Sequence, residues 1–121
     1  MAWKFDNKLP VSNQIANRIR LDILNGKYSA GAQLPSVRAL ACEAGVNPNT
    51  VQKALSLLEL EGLVESRGTI GRFVSCDTAI LEKSLKILQR DFLEQAFAQA
   101  RELRITREDI IKFFEEGEKR Q

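Results

Sequence analysis

Between Leu34 and Gly62 the chain carries three punctuation marks that leave little choice of fold: Ser36 behind a proline, Gly45, and the pair Asn47 and Pro48. Pro35 cannot continue a helix from upstream, and the Ser36 hydroxyl can accept from the free N–H groups of a first helical turn. Val37, Leu40, Ala41 and Ala44 follow at helical spacing, which gives a helix begun at Ser36 one buried face. Gly45 stands where a left-handed residue must end that helix, a conformation glycine adopts without a Cβ clash. Asn47 is a good cap and Pro48 tolerates a first-turn position, so a second helix is expected from about Pro48 to Glu61, stopped by Gly62.

The second helix has two unlike faces. Val51, Ala54, Leu55 and Leu58 form its inner stripe, while Asn49, Thr50, Gln52 and Lys53 put short hydrogen-bonding groups and a cation on the other side. On a helix that enters a major groove, such side chains reach base edges and phosphates. After Gly62 the segments 63–66 and 72–75 alternate apolar and polar around a glycine-rich turn, which predicts a β-hairpin with a basic tip at Arg67. Two helices, a tight turn and a basic hairpin make the layout of a winged helix-turn-helix. In that setting Arg67 is expected against phosphates or in a minor groove.

The stretch LPSVRALACEAGVNPNTVQKALSLLELEGLVESRGTIGRFV, Leu34 to Val74, resembles the DNA-binding domain of GntR-type bacterial transcription regulators. The short chain resembles the YtrA subfamily in particular. The resemblance is close over about residues 10–74 and extends to the remainder by organisation only. It implies that Arg38, which follows LPSV, contacts phosphate; that Asn47, Asn49, Thr50 and Gln52 occupy recognition-helix positions; and that Arg67 and Gly68 form the wing tip. Relatives often carry arginine at the positions of Pro48 and Gln52. The common wing pattern RGxGTFV is here RGTIGRFV, with one more residue between the glycines and Arg72 in place of a threonine.

Upstream, Val11 to Asn25 reads as an amphipathic helix with Ser12 as its cap, Ile15, Ile19 and Ile23 at four-residue steps, and Gly26 to close it. It supplies the third wall of the core, with Arg18 and Arg20 pointing elsewhere. Residues 28–35 read as a loop. Trp3 and Phe5, on a short polar arm, are expected to pack on the body or on a partner subunit. Cys42 flanks the Ala41 and Ala44 stripe and is expected in the core.

Beyond Asp77 the pattern changes. No glycine or proline interrupts residues 77–103, and Leu81, Leu85, Leu88, Phe92 and Ala96 run along one face of a long helix. Such a helix would extend roughly 40 Å at about 1.5 Å per residue. Ile80, Ile87, Leu93, Phe97 and Ala100 widen its apolar surface. Thr106 and Asp109 form a capping-box-like pair before Ile110, Ile111, Phe113 and Phe114, so a second helix is expected to fold back on the first and to end at Gly117. So much apolar surface on so small a tail points to a homodimer in which two tails pack together. Leu81, Leu85, Leu88, Phe92, Phe97, Ile110, Phe113 and Phe114 are the dimerisation candidates; an intramolecular cap on the body is the alternative.

Charge follows the same division. Lys and Arg outnumber Asp and Glu nine to six through Cys76, while beyond it nine basic side chains face ten acidic ones, within a net charge of +2. The excess is small, so the placement of Arg38, Lys53, Arg67 and Arg72 matters more than bulk charge. Histidine is absent, and two distant cysteines cannot complete a usual zinc site. No phosphate loop, nucleophile elbow or facing carboxylate pair is present, and Glu59, Glu61, Glu115 and Glu116 read as solvated charges. An enzyme is therefore not expected, nor a catalytic residue, metal or cofactor.

The whole is expected to be mainly α with a small β-hairpin wing: a DNA-binding winged helix-turn-helix over residues 1–76, then a two-helix dimerisation region over 77–121. The expected function is sequence-specific regulation of transcription, as a homodimeric repressor on a palindromic operator in double-stranded DNA. The short tail leaves little room for a deep pocket, and a small-molecule effector of unknown identity could bind at the dimer interface. With no apolar run for a signal peptide or a membrane span, the expected location is the cytoplasm. Binding of an acidic protein, or of RNA, through the same fold are the competing readings.

Overall fold

The computed structural model describes residues 2–119. Its elements are α1 (Val11–Leu24), α2 (Val37–Ala44), α3 (Pro48–Leu60), β1 (Val64–Ser66), β2 (Arg72–Val74), α4 (Thr78–Glu102) and α5 (Arg107–Lys119). They divide into two compact units, residues 1–83 and 84–121.

In the first unit α1 and α2 both pack on α3. Ile15 and Ile19 from α1, Leu40 from α2 and Val51, Leu55 and Leu58 from α3 leave at most 1% of their surface to water, and Leu63 and Val74 from the wing close the cluster. The helix punctuation is as expected. Ser36 Oγ accepts from the Ala39 N–H at 3.0 Å, and Asn47 Oδ1 accepts from the Asn49 N–H at 2.8 Å. Gly45 ends α2 at φ 75°, and a Cβ there would lie 2.7 Å from Ala2 Cβ, so both the turn and the arm need glycine.

Three local expectations are corrected. Ser12 does not cap α1; the helix starts at Val11 behind Pro10 with no side-chain cap. Gln14 instead ties down the arm, accepting from the Asp6 N–H at 2.9 Å and donating to the Asp6 and Leu9 carbonyls. Cys42 is exposed, because it falls between the buried Ala41 and Ala44 on the turn that faces water. Residues 31–34 do more than loop: Gly31 donates to Val74 O at 2.9 Å, Val74 to Ala32 O at 2.8 Å and Leu34 to Arg72 O at 2.8 Å. This run flanks β2 opposite β1, which pairs antiparallel with β2 from Val64–Val74 to Ser66–Arg72.

The arm folds as expected. The Trp3 N–H donates to Ala44 O at 3.1 Å, and the Arg18 guanidinium lies 4.5 Å from the Trp3 ring centre. Asp77 Oδ1 accepts from the Ala79 N–H at 3.0 Å to start α4, whose first residues Ile80 and Leu81 pack on the body's core.

In the second unit Arg104, at φ 58°, turns the chain between the helices. The capping box forms reciprocally, with Thr106 N–H to Asp109 Oδ2 at 2.9 Å and Asp109 N–H to Thr106 Oγ1 at 3.1 Å. Two expectations fail here. Helix α5 runs on through Gly117 to Lys119, since glycine lowers helix propensity without forbidding a helical φ. Nor does α5 fold down closely along α4: no residue of either helix is buried, and the two apolar faces line an open groove of about 930 Å3.

Candidate nucleic-acid interface

Helix α3 divides as its sequence suggests. Val51, Ala54, Leu55 and Leu58 point into the core, Asn49, Gln52 and Lys53 are exposed, and Thr50 is half-buried. Asn49, Gln52, Lys53 and Ser56 line a trough of about 660 Å3 together with Ser12 and Asn13 from the first turn of α1. Sequence reasoning missed Ser12 and Asn13 as neighbours of this face; only the packing of α1 on α3 brings them there. Arg38 lies exposed on the first turn of α2. The Asn47 amide oxygen is engaged in capping α3.

The wing tip is a tight turn closed by Ile70 N–H to Arg67 O at 3.1 Å and Arg67 N–H to Gly71 O at 2.8 Å, with Gly68 at φ 58°. Gln33 Nε2 donates to Ile70 O at 2.8 Å, and a Cβ on Gly71 would lie 2.8 Å from that nitrogen. Arg67 stacks its guanidinium 4.2 Å from the Phe73 ring centre and 3.7 Å from Glu65, leaving 47% of the side chain exposed at the tip. Ile70 projects beside it, 67% exposed.

Arg72 behaves differently from Arg67. Its side chain is 19% exposed, Nε donates to Glu59 Oε1 at 2.6 Å, and Nη1 donates to Gln52 Oε1 at 2.8 Å. The wing is thus latched to α3 through a residue expected at the DNA. Glu59, read from the sequence as a solvated charge, is the acid of that latch. Glu61 is corrected likewise: it takes both Nε and Nη2 of Arg20, at 2.9 and 2.5 Å, so Arg20 fastens α1 to the end of α3. A helix with one polar face, flanked by two exposed arginines and a turn that can enter a groove, is built to lie on a charged, grooved polymer.

Among the described residues no three or more acidic or cysteine side chains gather where they would hold a metal ion, and no helix is long and apolar enough to cross a membrane. Residues 11–74, all of the body from α1 to the end of the wing, match the family described as "Bacterial regulatory proteins, gntR family". The chain belongs to the GntR family. GntR architecture extends past the wing: a GntR family transcriptional regulator from Listeria monocytogenes superposes with a TM-score of 0.85 over 93% of this chain and 98% of that one, at 30% identity. Among curated relatives, the chain is 36% identical over 117 residues to the HTH-type transcriptional regulator YhcF of Bacillus subtilis, covering 94% of this chain and 97% of that protein. It is 31% identical to the HTH-type transcriptional repressor YtrA of the same organism, over 88% of this chain and 83% of that one. The protein is accordingly a DNA-binding transcription regulator of the GntR family, mainly helical with a winged helix-turn-helix, and not an enzyme.

Proposed function

We propose that this GntR-family regulator is a repressor of the YtrA type that binds a palindromic operator as a homodimer. The observation that carries the reading is a pairing of unfinished surfaces: an exposed polar face on α3 in the body, and exposed apolar faces on α4 and α5 in the tail. Phe92, Phe97, Phe113 and Phe114 are each at least 64% exposed, far too much aromatic surface to leave in water on one small unit. A second copy offers the same faces in return, so an isologous contact through Leu85, Leu88, Phe92, Phe97, Ile110, Phe113 and Phe114 covers both. Leu81, packed on the body's core, is the one dimerisation candidate with a place elsewhere.

Pairing the tails supplies two α3 helices for successive major grooves. Asn49, Thr50, Gln52 and Lys53 are then the base readers, Arg38, Arg67 and the Gly68 turn the contacts that set register, and Asn47 the cap that orients the reading helix. Likeness to YtrA, a repressor by name, supports repression, with operator occupancy blocking polymerase. Such a protein works where the DNA is, in the bacterial cytoplasm. The apolar groove between α4 and α5 gives a small apolar effector its place, in the volume that paired tails leave open.

Fluorescence anisotropy of the purified chain on DNA from upstream of its own gene, with scrambled competitor, tests the reading alongside sedimentation of the free protein. Competitor-resistant binding that saturates at two chains per site supports it. A monomer in solution that saturates a site as one chain overturns the dimer, and indifference to sequence overturns the operator.

A further inference from the structure

We propose that Arg72 is a positioning residue that makes Gln52 a donor-only reader of DNA, directed to guanine rather than adenine. The inference rests on the reading above, in which α3 enters the major groove. A guanidinium carries donors and no acceptor, so the Gln52 atom 2.8 Å from Arg72 Nη1 is its carbonyl oxygen. Arg72 is itself held by Glu59, at 2.6 Å from Nε, on the same helix about two turns beyond Gln52. The oxygen is therefore drawn back to the wing by a charge-assisted bond, and Gln52 Nε2 makes no hydrogen bond among the described residues.

That asymmetry decides what Gln52 can read. A free glutamine offers donor and acceptor side by side and matches the N6 donor and N7 acceptor of adenine. With one lone pair of its oxygen taken by Arg72 and the oxygen turned toward the wing, Gln52 presents chiefly its two N–H groups. Guanine offers two major-groove acceptors, N7 and O6, thymine offers O4, and cytosine offers only the N4 donor. The order of preference at this position becomes guanine, then thymine, with adenine disfavoured by loss of its second bond. The wing thus sets base choice through the helix, without touching the base.

The test is selection from randomised double-stranded DNA by the full-length wild-type protein, Gln52→Ala and Arg72→Met. The position read by Gln52 is the one whose preference Gln52→Ala flattens. Wild type is expected to select guanine there over adenine by about tenfold, and Arg72→Met to move that one position toward adenine while the others hold. Adenine chosen by wild type overturns the inference. So does an Arg72→Met protein that loses affinity equally for every sequence with its base order intact, the mark of a backbone contact. Wild type that selects no sequence fails the DNA reading itself, and the inference with it. A selected site that Gln52→Ala leaves unaltered sinks the inference alone. Should Arg72→Met disturb the wing, the wild-type and Gln52→Ala selections decide, because Gln52 is exposed and its truncation removes no core contact.

Discussion

The body and the tail hold apolar side chains of similar size and do opposite things with them. Ile15, Ile19, Leu55 and Leu58 close on one another to leave at most 1% of their surface in water, whereas Phe92, Phe97, Phe113 and Phe114 keep 64% or more. The body succeeds because three helices and a hairpin supply walls on several sides of α3. The tail has two helices lining an open groove, and two helices have no third wall to offer. Stability of the body is thus a property of one chain, whereas the apolar faces of the tail stay open within it.

The sharpest way to break this contrast is Phe97→Glu. It should leave the melting of the body unaltered yet give a monomer in sedimentation, with operator affinity reduced by about 10²–10⁴-fold as the second half-site is lost. An unaltered dimer would place the interface elsewhere. Leu55→Ala is the complementary change: it should cost about 2–5 kcal/mol of stability in denaturant melts through the cavity it leaves beneath α3. Loss of dimerisation without loss of stability in that variant would erase the distinction between the regions.

Arg38→Ala sharpens the comparison within the body. It should weaken binding to all sequences alike and lower the slope of log affinity against log salt by about one. A change of base preference would instead make Arg38 a reader.

In the tail, Thr106→Ala removes one half of the capping box and should cost about 1 kcal/mol of α5 stability, read as lost helical circular dichroism and weaker self-association, with body melting untouched. The smallest expected effect is on acidification. Hydrogen bonds from the Thr106 backbone and side chain hold the Asp109 carboxyl below its ordinary 3.8. A carboxyl lowered on folding stabilises the folded form above its unfolded value, and that contribution is lost as pH falls through the folded one. Fraying of α5 should therefore begin below about pH 3.8 in the wild type and be absent as a separate step in Asp109→Ala.

Much of the polar face of α3 was legible in the chain because its determinants are local. Ser36, Gly45, Asn47 and Pro48 act on the backbone within a turn of themselves, and a period of 3.6 residues sorts Asn49, Gln52 and Lys53 from Val51, Leu55 and Leu58 whatever else is nearby. Cys42 went wrong for a related reason: flanking a stripe by one residue rotates a side chain by about 100°. The Arg72 latch was not legible at all. In sequence Gln52 and Arg72 read as separate DNA-side residues and Glu59 as a solvated charge, and only the fold of the wing against α3 brings the three together.

By itself, the sequence determined where α2 and α3 start and stop, which face of each helix is apolar, and that residues 77–119 carry more apolar surface than a two-helix tail can hide. Those are matters of short-range sterics, hydrogen bonding and periodicity. Tertiary structure alone decided that Arg72 faces α3 rather than solvent, that Glu61 grips Arg20, that Ser12 and Asn13 border the polar face of α3, and that α5 stands off α4. Each of these depends on how elements distant in the chain pack against one another, which is not written in the spacing of residues along one element.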